Sequence, residues 1–137
     1  MLTLTPYLLL DGTCRPAMEF YRSCLGGDLA LTLVGDSPMK DFFPPALHQK
    51  VLNARLAGGP LVISASDWLR PGQTPVQGNS VCLYLGGGSR TELKAAFDRL
   101  SAGADVTDPL KEEPFGTYGA LTDKFGVRWM FHAAKGD

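Results

Sequence analysis

The chain has 137 residues, and its 13 lysines and arginines against 14 aspartates and glutamates leave a formal net charge of −1. That length fits one domain or two small fused repeats, and without a basic excess a nucleic-acid partner is disfavoured. The 16 glycines and 10 prolines exceed the roughly 16 that average usage gives for both together, which predicts many turns and few long helices, while 45% hydrophobic residues are enough for a core.

Cys14, Cys24 and Cys82 form no CxxC pair and cannot all be disulfide bonded, which points to a reducing compartment and so to the cytoplasm. Met1 to Leu10 carries neither a basic leader nor a small-residue cleavage site. No apolar run approaches the roughly 20 residues that cross a bilayer, so no membrane association is expected.

In chain order, Tyr7 to Leu10 is a short apolar run stopped by Asp11-Gly12. Ala17, Phe20, Tyr21 and Cys24 then follow at the spacing of an amphipathic helix that Gly26-Gly27 ends. Gly35 to Gln49, with three prolines and Phe42-Phe43, reads as a covering loop. Val51 to Ala57 and Pro60 to Ala65 flank Gly58-Gly59 as a strand pair, and Trp68 to Gly78 reads as a linker. The pattern then repeats. Val81 to Leu85 is a second apolar run, stopped by Gly86 to Gly88. Ser89 and Glu92 make a capping box ahead of a second helix carrying Leu93, Ala96, Phe97 and Leu100, which Gly103 ends. Gly119 to Thr122 and Val127 to Ala133 flank the turn at Asp123 to Gly126.

One constant offset lays Leu9 on Leu85, Ala17 on Leu93, Tyr21 on Phe97 and Cys24 on Leu100. The chain therefore reads as a duplication: module one spans 1–67, a linker 68–78, and module two 79–137. Each module is predicted to run strand, helix, then two or three strands. One helix covers one sheet face, so two such units leave a concave face where a ligand can sit.

This pattern resembles the vicinal oxygen chelate superfamily, which includes glyoxalase I, extradiol dioxygenases and the fosfomycin and bleomycin resistance proteins, and within it the PhnB-like branch. The resemblance is carried by Pro6-Tyr7-Leu8, Asp11-Gly12-Thr13-Cys14, Glu19-Phe20-Tyr21, Leu25-Gly26-Gly27, Gly58-Gly59, Ser66-Asp67, Gly78-Asn79 and the closing Asp123-Lys124-Phe125-Gly126-Val127 with Trp129. It implies an α+β fold of two tandem βαβββ modules forming an open eight-stranded mixed sheet cup, and a homodimer. In metal-dependent relatives four strand positions hold a divalent ion that polarises the substrate. Carried onto this chain they fall near Thr5, near Ser64, at Ser80 and at Met130, none of them a good ligand, so no metal or other cofactor is expected. Some members of the branch are described as ubiquinone-pathway methyltransferases, but no glycine-rich loop followed by an acidic residue is present to hold S-adenosylmethionine.

His132 lies two residues after Met130 and so on the same strand face, where it could act as a base or hold an anion. Asn53 stands where many PhnB-like chains have histidine, and its amide can both donate and accept. The expected small-molecule site is therefore Thr5, Asn53, Ser64, Ser80, Met130 and His132, with Phe42, Phe43, Trp68, Phe115 and Tyr118 as candidate apolar lining. His48 reads as a surface residue, and Glu112-Glu113 as part of a solvated loop. Trp129 is expected on the helix side, and Cys24 and Cys82 in the core. Cys14 at a helix start is either a packing residue or a thiol of lowered pKa. The leading function is metal-free binding of a small molecule; the alternative is a metal-dependent lyase or isomerase of the glyoxalase type. Whether the protein is an enzyme stays open at this stage.

Overall fold

Both helices form where the apolar spacing places them. Helix α1 (Cys14–Leu25) buries Cys14, Ala17, Met18, Tyr21 and Cys24, a single stripe at helical spacing. Its N-terminus is not capped locally, since Thr13 makes no side-chain cap bond. Asp67, far along the chain, supplies the acceptor instead: its Oδ1 takes the Cys14 N–H at 3.0 Å and its Oδ2 takes the Val51 N–H at 2.8 Å. Helix α2 (Arg90–Leu100) buries Leu93, Phe97 and Leu100, and Ser89 Oγ accepts the Glu92 N–H at 3.1 Å, as the capping box predicts.

The computed structural model describes residues 1–136, which divide into two compact units, Met1–Val76 and a second beginning at Gln77. In the first unit β1 (Tyr7–Leu10), β2 (Asp28–Leu33), β3 (Val51–Gly58) and β4 (Leu61–Asp67) form a sheet in the order β1-β4-β3-β2. Strand β1 runs parallel to β4, and the other pairs are antiparallel. In the second unit β5 (Leu83–Gly86), β6 (Asp105–Glu113), β7 (Gly116–Thr122) and β8 (Arg128–Ala134) repeat this arrangement as β5-β8-β7-β6. The eight strands thus form two four-stranded mixed sheets, each from one βαβββ unit.

Alternation sorts each sheet into a face under its helix and a face turned away from it. In the first sheet Leu10, Ala54, Leu56, Ile63 and Ala65 are buried, whereas Tyr7, Leu9, Asn53 and Arg55 are exposed. In the second, Leu121, Trp129, Phe131 and Ala133 are buried, and Phe131 meets Phe97 of α2 edge-on with ring centroids 4.9 Å apart. Trp129 lies on the helix side, 1% exposed, and its Nε1–H donates to Asp123 Oδ2 at 2.8 Å. In the first unit Gly27, at φ +96°, lets α1's exit cross β3 closely; a Cβ there would stand 2.9 Å from the Ala57 carbonyl oxygen.

Several expectations are corrected. The helices match at the offset read from sequence, with Tyr21 and Phe97 both buried, but the strands before them differ in phase. Leu9 is 52% exposed on the face away from α1, whereas Leu85 pairs with the fully buried Phe131 on the helix side. Both strand-to-helix connections hold three residues, so the sequence repeat looked in register although the strand faces are exchanged. Glu112 and Glu113 belong to strand β6, not a loop. Cys82 lies outside any strand and is only half-buried. Within the loop read from Gly35 to Gln49 the structure has three 3₁₀ turns, Val34–Asp36, Lys40–Phe42 and Pro45–Leu47. No helix is long and apolar enough to cross a membrane.

Candidate functional site

The second sheet carries a hydrogen-bonded tyrosine and histidine pair on the face away from α2. Register places Tyr84 beside Met130, and His132 between Gly86 and Tyr118, so all of these belong to the face away from α2. Tyr84 leans along its own strand over Gly86: a Cβ on Gly86 would fall 2.5 Å from Tyr84 Cε1 and 2.8 Å from its hydroxyl oxygen. Only the missing side chain at Gly86 allows the ring to lie there. From that position Tyr84 Oη reaches His132 Nδ1 at 2.9 Å.

The other ring nitrogen fixes the tautomer. His132 Nε2 stands 3.4 Å from the Phe115 carbonyl oxygen, and a carbonyl only accepts, so Nε2 carries the proton. In the neutral ring Nδ1 then accepts from the Tyr84 hydroxyl, and the phenol oxygen presents lone pairs outward. Protonating His132 reverses this bond: Nδ1–H donates to the phenol oxygen, and the Tyr84 O–H turns outward as a donor. The pair can therefore offer a ligand either an acceptor or a donor, and can pass a proton between the two states. Phe115 lies over His132 with centroids 5.9 Å apart and meets Tyr118 edge-on at 6.0 Å. Tyr84 and Phe115 are each 58% exposed.

On the first sheet, Ser64 of β4 stands in register between Tyr7 of β1 and Arg55 of β3. Asn53 Nδ2 donates to Tyr7 Oη at 3.4 Å, linking β3 to β1 across β4, whose Ser64 and Ser66 are only 9% and 6% exposed.

Of the six residues expected at the site, Met130 and His132 share one face of the second sheet, and Asn53 and Ser64 share one face of the first. Thr5 precedes β1, half-buried. Ser80 lies in an exposed bend ahead of β5, not on a strand, because β5 starts at Leu83 rather than Val81. Tyr84 and Arg55 were missed. Tyr84 hid inside an apolar run as its one polar-tipped member, and Arg55 is a lone charge between buried Ala54 and Leu56.

His48 is not a free surface group: its Nε2–H points at the carbonyl oxygens of Lys40 and Phe43, at 2.9 and 3.0 Å, and clasps the 3₁₀ segment. Trp68 Nε1–H donates to the Gln73 carbonyl at 2.9 Å within the linker. Cys14 is fully buried, and burial, reinforced by the Asp67 carboxylate, pushes its thiol pKa up to about 12. It is a packing cysteine. A cleft of about 330 Å³ between α2 and the β6 edge includes Arg90, Lys94, Lys111 and Glu112. Its cations are already paired, Arg90 with Glu112, Lys94 with Asp98 and Lys111 with Glu113.

Residues 3–131 match the Glyoxalase/Bleomycin resistance protein/Dioxygenase superfamily, and the chain belongs to it. The chain is 29% identical to Protein YjdN of Escherichia coli (strain K12), covering 96% of this chain and 95% of that protein. Protein PA1353 from Pseudomonas aeruginosa, at 33% identity, superposes with a TM-score of 0.87 over 98% of each chain. A PhnB protein from Bacillus cereus, at 21% identity, has the same fold, with a TM-score of 0.73 over 97% of this chain and 100% of its own.

The superfamily implies a divalent metal in some members, and the residues here do not fit one. The carried-over positions hold Thr5, Ser64, Ser80 and Met130, and among the described residues no group of three His, Cys, Asp or Glu is placed to share an ion.

Proposed function

We propose that the protein is a PhnB-like small-molecule-binding member of its superfamily, whose ligand rests on the open face of the second sheet against Tyr84, Met130 and His132. Asn53 and Ser64 supply a second polar surface on the first sheet, with Thr5 and Ser80 at the ends of the strands. The observation that carries the reading is the Tyr84–His132–Phe115 carbonyl chain. It orients an imidazole and a phenol on an exposed face flanked by aromatic rings, an arrangement that contributes little to the core and suits recognition of a planar or polar compound. Binding uses these side chains and no divalent metal. Homodimerisation, implied by the resemblance, belongs to the same proposal and is checked by sedimentation.

The test is a thermal-shift screen of planar aromatics, small carboxylates and thiol adducts on the full chain, repeated on Tyr84→Phe and His132→Ala. A ligand at a hundredfold excess over its dissociation constant stabilises by about 2.7 kcal/mol; the shift should shrink in both variants. A hit untouched by either substitution moves the site elsewhere. Elemental analysis of protein purified without a metal-affinity tag checks the metal: stoichiometric Ni, Zn, Mn or Fe surviving dialysis would refute the metal-free part.

A further inference from the structure

The face of the first sheet that turns away from α1 carries one guanidinium, Arg55, at its centre. Its side chain makes no ion pair or hydrogen bond with the described residues, in contrast to the cations of the α2 cleft. Its cross-strand neighbours are small: Ala30 on β2 and Ser64 on β4. Beyond Ser64 stands Tyr7, 48% exposed. Adjacent strands lie about 4.8 Å apart, so Arg55 and Tyr7 rise on either side of a low serine floor.

Each hydrogen-bonding group of this row has a hydrogen it can donate. Tyr7 Oη accepts from Asn53 Nδ2, which leaves its own O–H free to donate outward, and the second amide hydrogen of Asn53 is also available. The Ser64 hydroxyl bonds no protein group; because no buried side-chain polar atom is left unsatisfied, it is reached by solvent. The one carboxylate on the same face is Asp28, at the start of β2 opposite Ala57, one pleat further along than Arg55. A cation without a counter-ion, ringed by hydroxyl and amide donors, calls for an acceptor-rich anion.

We infer that this face of the first sheet binds the anionic group, carboxylate or phosphate-like, of a small molecule through the Arg55 guanidinium, with the Tyr7 O–H, the Asn53 amide and the Ser64 hydroxyl completing its hydrogen bonds. The inference rests on the proposed binding role of the Asn53 and Ser64 surface and names the ligand chemistry it takes; it does not depend on Tyr84 or His132.

Inorganic phosphate, phenyl phosphate and benzoate are titrated separately into the full chain, and binding is followed by backbone amide shifts and by calorimetry. The amides of Ala30, Arg55, Ser64 and Tyr7 should move saturably, with affinity falling as salt rises. Arg55→Met should weaken binding at least tenfold, Arg55→Lys should retain part of it as a point charge, and Lys94→Met, which removes a paired cation of the α2 cleft, should leave it unchanged. Phosphate or benzoate alone shows whether the site prefers the doubly charged or the planar anion. Arg55 is exposed, so both variants should fold, and their amide spectra confirm it. Binding that persists in Arg55→Met, shifts mapping to the second sheet, or no saturable shift with any of the three anions would overturn the inference.

Discussion

Asp67 Oδ1 accepts the backbone N–H of Cys14 across 53 residues of sequence, while its other oxygen accepts from Val51. One carboxylate, 4% exposed, thereby joins the end of β4 to the beginnings of α1 and β3. Asp67→Ala leaves two buried donors without their acceptor and should cost about 3 kcal/mol. Asp67→Asn, which sets an amide NH₂ against one of those N–H groups, should recover only part of it. Urea unfolding of the two variants checks the ranking; equal stability to the parent chain would show that water replaces the carboxylate.

Gly86→Ala adds a single methyl group where the Tyr84 ring lies. The ring must swing away, and its bond to His132 breaks. Stability should change by less than about 1 kcal/mol, because an exposed neutral hydrogen bond contributes little. The His132 imidazole resonances should nonetheless move as they do in Tyr84→Phe. If Gly86→Ala leaves those resonances in place, Tyr84 reaches His132 by another path.

Cys14 should resist alkylation in the native chain at pH 8, since its pKa is raised to about 12, while the half-buried Cys82 reacts first. The sign of the linked stability follows. The folded state favours the neutral thiol, so this contribution is fully present below the ordinary value of 9.0 and is lost as pH climbs from there toward 12. Cys14→Ala lacks that loss, so its stability relative to the parent should rise across the same window. Mass spectrometry after timed labelling and alkaline unfolding curves read the two halves of the prediction.

Trp129→Phe removes the indole donor to Asp123 Oδ2 and some core volume at a residue 1% exposed. A loss of about 2 to 3 kcal/mol is expected, with ligand binding on the opposite face retained at saturation. Loss of binding in a folded Trp129→Phe chain would mean that the helix side and the open face are coupled.

What was legible in the sequence was whatever the local chain decides. The helix stripes, the Ser89 cap and the hairpin glycines all follow from spacing within a few residues, and the closing turn at Asp123 from its own motif. What was not legible depends on partners distant in sequence. The acceptor for α1 comes from the end of β4, so the sequence left Cys14 open between a packing residue and a thiol of lowered pKa. Strand β6 hid because it is an edge strand, exposed along most of its length and holding Pro109, with no apolar alternation to announce it. In the site, period-2 alternation located Met130 and His132 from each other, whereas the shared face of Asn53 and Ser64 follows only from the pairing of β3 with β4. Tyr84 and Arg55 needed the register between strands, which no single run of sequence contains.

The exchanged phase of β1 and β5 limits how the two halves can diverge. Substitutions can change what Tyr7 or Tyr84 presents, but none can move a side chain through its sheet. A one-residue slip of β5 along β8 could, and it would turn the Tyr84 ring toward the space that Phe97 and Phe131 already fill. Connections of the same three-residue length serve both phases, so the pairing of each first strand with the last strand of its own unit decides which side chains its open face receives.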